Sequence, residues 1–360
     1  MEKMRLPIFN NQRKIKIGST YVGFNCPVFF IAEIGINHNG NIDVAKELIL
    51  KAKNSGAHAV KFQKRNNKDV FTSIALDKKY ESPHAYGNTY GEHREALEFE
   101  FEEYKELFLY AKSLEILLFA SVWDLSSVNF MKQFDVDAYK IASADMNYYD
   151  LIEQIALTNK PILVSTGMAT QAQIKAAMKF TKRHTKKYIF MHCTSAYPAD
   201  DDDINLKFMK KIQGWSKGNP FGYSGHEKDW IPTLLATVNG ASVIERHITL
   251  NKDSKGSDHS ASLIPDEFAE LVYTVGRFKN ILGTGLKLEL SNKVIESKKK
   301  LSKSIYTNKV IYPGHKILQD DIVIKSPGGG LEPNHLKFVL NKKAKYELGN
   351  EHQISLNDVE

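Results

Sequence analysis

The chain contains 360 residues, of which 42% are hydrophobic, 25% charged and 11% aromatic. This composition excludes a disordered chain, and the lack of any run of about 18 apolar residues excludes a helical membrane protein. The net charge of +7 is modest for this length, and acidic and basic residues are interspersed, so we expect neither a nucleic-acid nor a membrane partner.

The N-terminal segment and the cysteines indicate a compartment. Met1–Gly18 lacks the uninterrupted apolar stretch of a signal peptide. The two cysteines, Cys26 and Cys193, are too few for a disulfide framework and fit a reducing environment. We therefore expect a cytoplasmic protein.

Short apolar runs recur along the first two thirds of the chain, and most are followed by a segment with the apolar spacing of an amphipathic helix. Helices of this kind are predicted at Ile42–Ser55, which Gly56 ends, at Ala169–Thr181, with Thr170 as its cap, and at Pro265–Leu282. The apolar runs are Val28–Ala32, Ala57–Phe62, Ile116–Ala120, Ala138–Ala142, Pro161–Val164, Tyr188–Met191, Pro220–Tyr223 and Ala241–Ile244.

Eight strand-and-helix units over about 260 residues predict an α/β fold of the (β/α)8 TIM-barrel type. The alternative is a doubly wound sheet, which needs a glycine-rich phosphate loop after its first strand. The first turn here, Gly35–Gly40, has neither the G-x-G-x-x-G spacing nor a Walker A lysine. The barrel is therefore favoured.

The remaining segments surround or follow this barrel. Residues 64–100 contain proline, glycine and a cluster of tyrosines and charged residues, and they are expected to form a long loop over the barrel mouth. The lysine-rich residues 286–304 are predicted to be a linker, and 305–360, with short β-like runs between turns, a compact β-rich module. The predicted catalytic domain is 1–285, including an N-terminal extension, 1–27.

In a TIM barrel the active site lies at the C-terminal ends of the strands, so the polar residues that close each apolar run are candidates. They combine cations, hydroxyls and imidazoles, which suits an anion such as phosphate beside a divalent metal ion. In chain order they are Glu33, Lys61, Gln63, Ser121, Lys140, Ser143, Asp145, Ser165, Thr194, Ser195, Ser224, His226, Glu245 and His247.

Two lysines lie within apolar runs and need an anionic partner there. Lys61 and Lys140 either form a clamp for a phosphate or carboxylate ligand, or they form buried ion pairs with Glu33 or Glu245. The sequence leaves both interpretations open.

Two histidines end the seventh and eighth predicted strands, which places them on neighbouring positions of one barrel mouth. Either His226 and His247 share a metal ion or they are hydrogen-bonded core side chains. Imidazole ligands with oxygen favour manganese, zinc or iron over calcium.

These residues belong to segments that resemble the sialic acid synthase family over nearly the full length of the chain. Each segment is weak evidence alone, but all of them in the same order on one chain are specific. The segments are Ile31–Gly40, Ala57–Gln63, Thr89–Phe99, Tyr139–Ala144, Val164–Met168, His192–Pro198, Gly222–Glu227, Glu245–Leu250 and Gly256–Leu263.

The resemblance implies a condensation of phosphoenolpyruvate with N-acetylmannosamine and water, which gives N-acetylneuraminate and phosphate. It implies a divalent metal ion, Mn²⁺ before Mg²⁺. It also implies that the C-terminal module is an antifreeze-like (SAF) domain, which crosses onto the partner barrel in a domain-swapped homodimer. The alternatives are a related synthase with a legionaminate-type or 6-phosphorylated acceptor, and a non-catalytic carbohydrate-binding protein.

The resemblance also implies roles for individual residues. Contacts to the phosphate and carboxylate of phosphoenolpyruvate are implied for Lys61, Lys140, Ser143, Ser165, Thr194, Ser195 and Ser224. Metal binding is implied for His226 and His247. Sugar-facing or site-lining positions are implied for Glu33, Gln63, Tyr197 and Asp258. Asp145 stands where many relatives have glutamate, and Glu33 and Asp145 would stabilise positive charge during the reaction.

Two positions depart from the family pattern. Val122 stands where some relatives have a threonine that contacts phosphate. Ser326 stands where relatives often have an arginine that reaches the sugar of the neighbouring subunit, and a serine side chain cannot make that contact.

Overall fold

A computed structural model of the chain describes residues 13–283 and 289–360. These residues divide into one compact unit that ends at Ile281 and a second unit, Leu282–Glu360. The start of the predicted N-terminal extension and the predicted boundary between residues 285 and 286 lie outside the described residues.

Within the described residues of the first unit, eight parallel strands close into a barrel. The TIM-barrel prediction is confirmed, and the open doubly wound sheet is wrong. The strands read as continuous apolar runs because a parallel sheet is covered on both faces. The barrel strands are β3 (Phe29–Gly35), β4 (Ala59–Lys64), β5 (Leu117–Val122), β6 (Tyr139–Ile141), β7 (Ile162–Ser165), β8 (Tyr188–Cys193), β9 (Phe221–Gly225) and β10 (Val243–His247).

Helices connect these strands, and the predicted helix starts are observed. The side chain of Asn41 accepts from the backbone N–H groups of Asp43 and Val44, and Thr170 forms a capping box with Gln173. None of the described helices has the length and apolar character to cross a bilayer. The main helices are α1 (Ile42–Asn54), α5 (Phe101–Ser113), α6 (Leu125–Lys132), α7 (Tyr149–Ala156), α8 (Gln171–His184), α9 (Asp201–Ile204), α10 (Met209–Ser216), α11 (Ile231–Val238) and α12 (Pro265–Leu282).

An antiparallel hairpin, β1 (Lys14–Ile17) and β2 (Thr20–Gly23), precedes the barrel. Its turn residue Gly18 has a positive φ, and a Cβ there would lie 2.8 Å from the side chain of Leu117, the first residue of β5. The backbone N–H of Arg13 donates to the carbonyl of Gly218, just before β9. The hairpin therefore covers the amino-terminal ends of the strands, opposite the expected site.

Residues 64–100 are more ordered than the predicted long loop. They contain α2 (Asn67–Val70), α3 (Ser73–Leu76) and α4 (Tyr90–Glu95). These helices are too short for a clear apolar period, and each depends on a side-chain cap, such as Thr89 in the capping box of α4.

The second unit has its own hydrophobic core. Its sheet pairs β11 (Ser304–Thr307) with β12 (Ile322–Lys325) in antiparallel fashion. The predicted linker contains a helix, α13 (Asn292–Leu301), which follows Ser291. Its apolar side chains are exposed, so the helix has no buried apolar face from which it could have been predicted. The core residues are Ile305, Ile311, Ile317, Ile322, Val339, Ala344, Leu348, Ile354 and Val359.

Candidate active site

The carboxyl ends of the barrel strands surround a cavity that opens to solvent. Most of the predicted site residues line it, although they are far apart in the sequence. Those predicted residues are Glu33, Lys61, Gln63, Ser121, Lys140, Ser143, Ser165, Ser195, Tyr197, Ser224, His226, Glu245 and His247.

The floor of the cavity is a buried cluster of two lysines and two glutamates. Glu245 Oε1 lies 3.5 Å from Lys61 Nζ and 3.6 Å from Lys140 Nζ. Lys61 Nζ also lies 2.8 Å from Glu33 Oε2. The buried ion pairs that the sequence left open are therefore present, and both ammonium groups still border the cavity.

These ion pairs determine which carboxylate is ionised. Burial alone would raise the pKa of Glu245, but the charges of Lys140 and Lys61 outweigh it and lower this pKa to about 2. Burial raises the pKa of Glu33 to about 7, against the opposing charge of Lys61. The floor thus carries two cations, one fixed anion and one carboxyl that titrates near neutral pH.

Hydroxyl groups surround this cluster. Lys61 Nζ donates to Ser121 Oγ and Lys140 Nζ to Ser165 Oγ, both at 2.6 Å. Ser224 Oγ donates to Glu245 Oε1 at 3.1 Å. Ser121 lines the cavity, whereas Val122 is buried in the core.

His226 and His247 face each other across the mouth, with ring centroids 5.4 Å apart. His226 Nδ1 lies 2.8 Å from the carbonyl oxygen of Thr194, which assigns the proton to Nδ1 and leaves the Nε2 lone pair free. Burial lowers the pKa of His247 to about 3, against the opposing charge of Asp258. Both rings border the same cavity rather than separate packed regions.

The histidine pair fits a metal ion in its donor chemistry. Two imidazoles that reach one ion through nitrogen at about 2.1 Å have centroids roughly 5 Å apart, which the observed separation matches. In the cavity, Glu245 Oε2 is buried without a hydrogen-bond partner, as is His247 Nδ1. Among the described residues, no group of three or more His, Cys, Asp and Glu side chains is placed to hold a metal ion, so His226 and His247 would hold an ion without a third side chain of these types.

Three predicted residues lie beside the cavity rather than in its lining. Asp258 Oδ2 is 3.9 Å from His247 Nδ1. Thr194 contributes its carbonyl to His226, while its hydroxyl donates to the carbonyl of Asp203. Asp145 is mostly buried, its Oδ2 has no partner, and burial raises its pKa to about 7.

Some lining residues were not among the predicted site residues. Trp123 and Met168 follow β5 and β7 but carry no chemistry that a strand-end pattern would select. Cys193 ends β8, and its Sγ lies 3.8 Å from His226 Nδ1. Glu245 was a strand-end candidate with no role beyond that of an ion-pair partner, and its position two residues before His247 points it to the same side of β10.

Comparisons with known proteins agree with this geometry. Residues 48–287 match the model of the NeuB family. The chain is 38% identical to N-acetylneuraminate-9-phosphate synthase of Mus musculus, over 94% of this chain and 95% of that protein. It is 31% identical to N,N'-diacetyllegionaminic acid synthase of Legionella pneumophila, over 91% and 93%. A crystal structure of N-acetylneuraminic acid (sialic acid) synthetase from Leptospira borgpetersenii superposes with a TM-score of 0.70 at 32% identity, covering 80% of this chain and 95% of that one.

Proposed function

Because this chain belongs to the NeuB family of sialic acid synthases, we propose that it condenses phosphoenolpyruvate with N-acetylmannosamine and water to form N-acetylneuraminate and phosphate. The observation that carries this proposal is the juxtaposition, in one cavity, of the lysine pair on the floor with the histidine pair at the mouth. The lysine pair suits the binding of an anion, and the histidine pair suits the binding of a metal cation beside an aldehyde.

Phosphoenolpyruvate would bind at the floor. Its phosphate and carboxylate need cations and hydroxyl donors. The floor provides two lysines, each hydrogen-bonded to a serine hydroxyl: Lys61 to Ser121 and Lys140 to Ser165. Burial lowers the pKa of Lys140 and the charge of Glu245 opposes this effect, while Glu245 offsets only one of the two positive charges. The floor therefore keeps a net attraction for an anion while Glu33 is protonated.

The acceptor would bind above, with its aldehyde near the histidines. Mn²⁺ held by His226 and His247 would act as a Lewis acid on the aldehyde oxygen. Gln63 and Tyr197 line the upper part of the cavity, and Tyr197 is partly exposed. These two side chains would orient the sugar through its hydroxyl and N-acyl groups.

The reaction then follows from the placement of charge. The enol carbon C3 forms a bond to the sugar aldehyde carbon, and the aldehyde oxygen takes up a proton, which protonated Glu33 would supply, and becomes a hydroxyl. Positive charge develops at C2, next to the carboxylates of Glu245 and Glu33. Water adds at C2, and the C2–O bond to the phosphoryl group breaks, which releases phosphate and leaves the 2-keto acid. Glu33, with its pKa near 7, is suited to accept the proton from that water.

The acceptor itself is a proposal drawn from the relatives. Their names include 9-phosphate, legionaminic and pseudaminic acid synthases, so a legionaminate-type or 6-phosphorylated acceptor is the alternative. A non-catalytic carbohydrate-binding protein is disfavoured, because a sugar-binding site has no need of two buried lysines below the sugar.

The test is phosphate release with purified protein. We expect release only when phosphoenolpyruvate, an N-acylated aminohexose and Mn²⁺ or Mg²⁺ are all present, with a nine-carbon acid found by mass spectrometry. If the protein releases no phosphate with N-acetylmannosamine, with its 6-phosphate or with diacetamido analogues, the proposal is refuted.

A further inference from the structure

The side-chain amide of Gln63 lies at the edge of the cavity, beside the histidine pair. The backbone of this residue is fixed, since β4 pairs Gln63 with Ser121 of β5 and Tyr104 Oη donates to its carbonyl oxygen at 2.9 Å. A Cβ built on Gly35 would lie 3.2 Å from Gln63 Nε2 and 3.3 Å from His247 Cε1. The amide nitrogen is therefore close to the mouth, where the acceptor is proposed to bind.

The two ends of this amide have different neighbours. Gln63 Nε2 donates to Glu33 Oε1 at 3.3 Å, and Arg65 Nη2 donates to Gln63 Oε1. An amide nitrogen carries two N–H groups, and Glu33 accepts from one of them, which leaves the other for a ligand. The oxygen of the amide is turned toward Arg65.

Arg65, rather than Glu33, determines this orientation. A carboxyl group accepts hydrogen bonds when ionised and can also donate when protonated, so Glu33 is compatible with either orientation of the amide. A guanidinium has only donors and stays charged. If the Gln63 amide were rotated by half a turn, its NH₂ group would face the donors of Arg65. Arg65 therefore excludes the rotated amide.

Two contacts fix the guanidinium of Arg65 in turn. Arg65 Nε lies 3.2 Å from Glu98 Oε1, and Arg65 Cζ lies 4.5 Å from the ring centroid of Trp123. Glu98 Oε2 also accepts from the backbone N–H of Arg65 at 3.3 Å. The side chains of Arg65 and Glu98 are both buried. The guanidinium is thus held between a carboxylate and an indole ring, and from there it reaches Gln63.

Stability does not explain the burial of this ion pair. Burial raises the pKa of Glu98 to about 7, against the charges of Arg65 and Lys64, and it lowers the pKa of Arg65. Both shifts show that burial penalises the charged forms. A buried ion pair often contributes no more to stability than apolar side chains of similar volume. Its contact with Gln63, a side chain that lines the cavity, indicates a role in the site instead.

Resting on the function proposed above, we propose that Arg65 is a positioning residue for the acceptor sugar. It holds the Gln63 amide so that an N–H group, and not the carbonyl oxygen, meets the substrate. The group that Gln63 binds is then a sugar oxygen that accepts a hydrogen bond. Arg65 does not line the cavity itself, so its effect on acceptor binding passes through Gln63.

A double-mutant cycle of Arg65→Met and Gln63→Ala tests this dependence. KM is measured for N-acetylmannosamine, or for the analogue that is turned over best, at saturating phosphoenolpyruvate and Mn²⁺. Each single variant should raise this KM by about tenfold, which corresponds to the loss of one hydrogen bond to the sugar. The double variant should raise it no further than Gln63→Ala alone. KM for phosphoenolpyruvate should change little, because Lys61 and Lys140 remain.

A second variant and a matched control separate this effect from a loss of folding. Arg65→Met/Glu98→Gln removes both charges of the buried pair; its thermal unfolding should remain cooperative, and its acceptor KM should rise as in Arg65→Met. Lys175→Met is the control. Lys175 Nζ also lies over a tryptophan, 5.0 Å from the ring centroid of Trp215, but Lys175 is an exposed residue of α8. This change should leave both KM values as they are.

Three results would overturn the inference while turnover is present. The first is an acceptor KM that Arg65→Met leaves unchanged. The second is a rise in this KM that Arg65→Met causes equally in the Gln63→Ala protein. The third is unfolding of Arg65→Met/Glu98→Gln, which would show that the pair serves the fold.

The inference can also be distinguished from the proposed function. If no acceptor is turned over, the proposed function fails, and nuclear magnetic resonance of protein with isotope-labelled glutamine side chains still tests the orientation of the amide. The Gln63 signal is identified by its loss in Gln63→Ala. It should be protected from hydrogen exchange in the wild-type protein and lose this protection in Arg65→Met/Glu98→Gln. Equal protection in the two proteins overturns the inference.

Discussion

The charge of the cavity floor is set by the position of Glu245. One carboxylate oxygen lies between two ammonium groups at 3.5 and 3.6 Å, so Glu245 stabilises both buried lysines at once. Because it neutralises only one of them, the floor retains attraction for an anionic substrate. Removing Glu245 or either lysine should destabilise the fold, since the loss of one member of a buried ion pair leaves an uncompensated charge.

Lys140 should therefore be essential for turnover. In Lys140→Met the floor loses a cation and the Ser165 hydroxyl loses its donor. We expect kcat/KM for phosphoenolpyruvate to fall at least about 100-fold, comparable to the loss of a preorganised donor at a developing charge. Lys179→Met, which removes an exposed lysine of α8, should retain activity. Equal activity of the two variants would contradict the assigned role.

The pH dependence of phosphoenolpyruvate binding should report Glu33. A carboxyl whose pKa is raised to about 7 is protonated below that pH and adds a negative charge to the floor above it. We expect KM for phosphoenolpyruvate to rise as the pH increases through about 7, by up to about tenfold. In Glu33→Gln the rise should be smaller, because only the ligand then titrates. Identical profiles for the two proteins would exclude Glu33 as the titrating group.

The two histidine-bearing strand ends are joined by a buried ion pair behind the site. Arg246 and Glu227 directly adjoin His247 and His226, and Arg246 Nη1 lies 2.9 Å from Glu227 Oε1. Arg246 Nη1 also donates to Thr233 Oγ1, and Tyr223 Oη donates to Glu227 Oε2. This network fixes how far apart β9 and β10 place the two imidazoles.

Arg246→Lys should loosen this arrangement without removing the charge. A lysine cannot reproduce the forked contact, so the two rings should lose their fixed separation. We expect Mn²⁺ affinity, measured by electron paramagnetic resonance titration, to fall about tenfold, as is usual when groups that orient metal ligands are changed. Arg183→Lys on the exposed face of α8 is the control. Unchanged affinity in Arg246→Lys would show that the ion pair supports only the fold.

The sequence predicts this barrel well because each buried parallel strand is a continuous apolar run in the sequence. Phe29–Gly35 is an unbroken buried run, and the polar residues after such runs mark one edge of the barrel. It does not reveal α4, a short helix that depends on the capping box of Thr89, or α13, which has no buried face. Nor does it reveal that Lys61 and Lys140 share Glu245, because that contact joins residues brought together only by barrel closure.

At the scale of the whole molecule, the chain contains two separate hydrophobic cores. In the described residues, the core of the barrel unit ends at Val275 and that of the C-terminal unit begins at Ile305. Neither core shares a residue with the other. Each unit therefore has the apolar burial that independent folding requires.

A variant that ends at residue 283 should keep the barrel folded. We expect its circular dichroism per residue to indicate a mixed α/β protein and its thermal unfolding to be cooperative, because its core is complete. The family resemblance implies that the C-terminal unit crosses onto the partner barrel, and if it completes that site, this variant should lose turnover while staying folded. A variant that unfolds would show instead that the barrel depends on the C-terminal unit.

The hairpin of β1 and β2 also has a consequence for the order of events in catalysis. It covers the amino-terminal ends of the strands, so substrates reach the lysine floor from the opposite end. The floor lies below the side chains proposed to hold the sugar, and a sugar bound first would obstruct the path of phosphoenolpyruvate. Steady-state kinetics should then be sequential and ordered, with the enolpyruvyl donor entering first and excess sugar acting as a dead-end inhibitor.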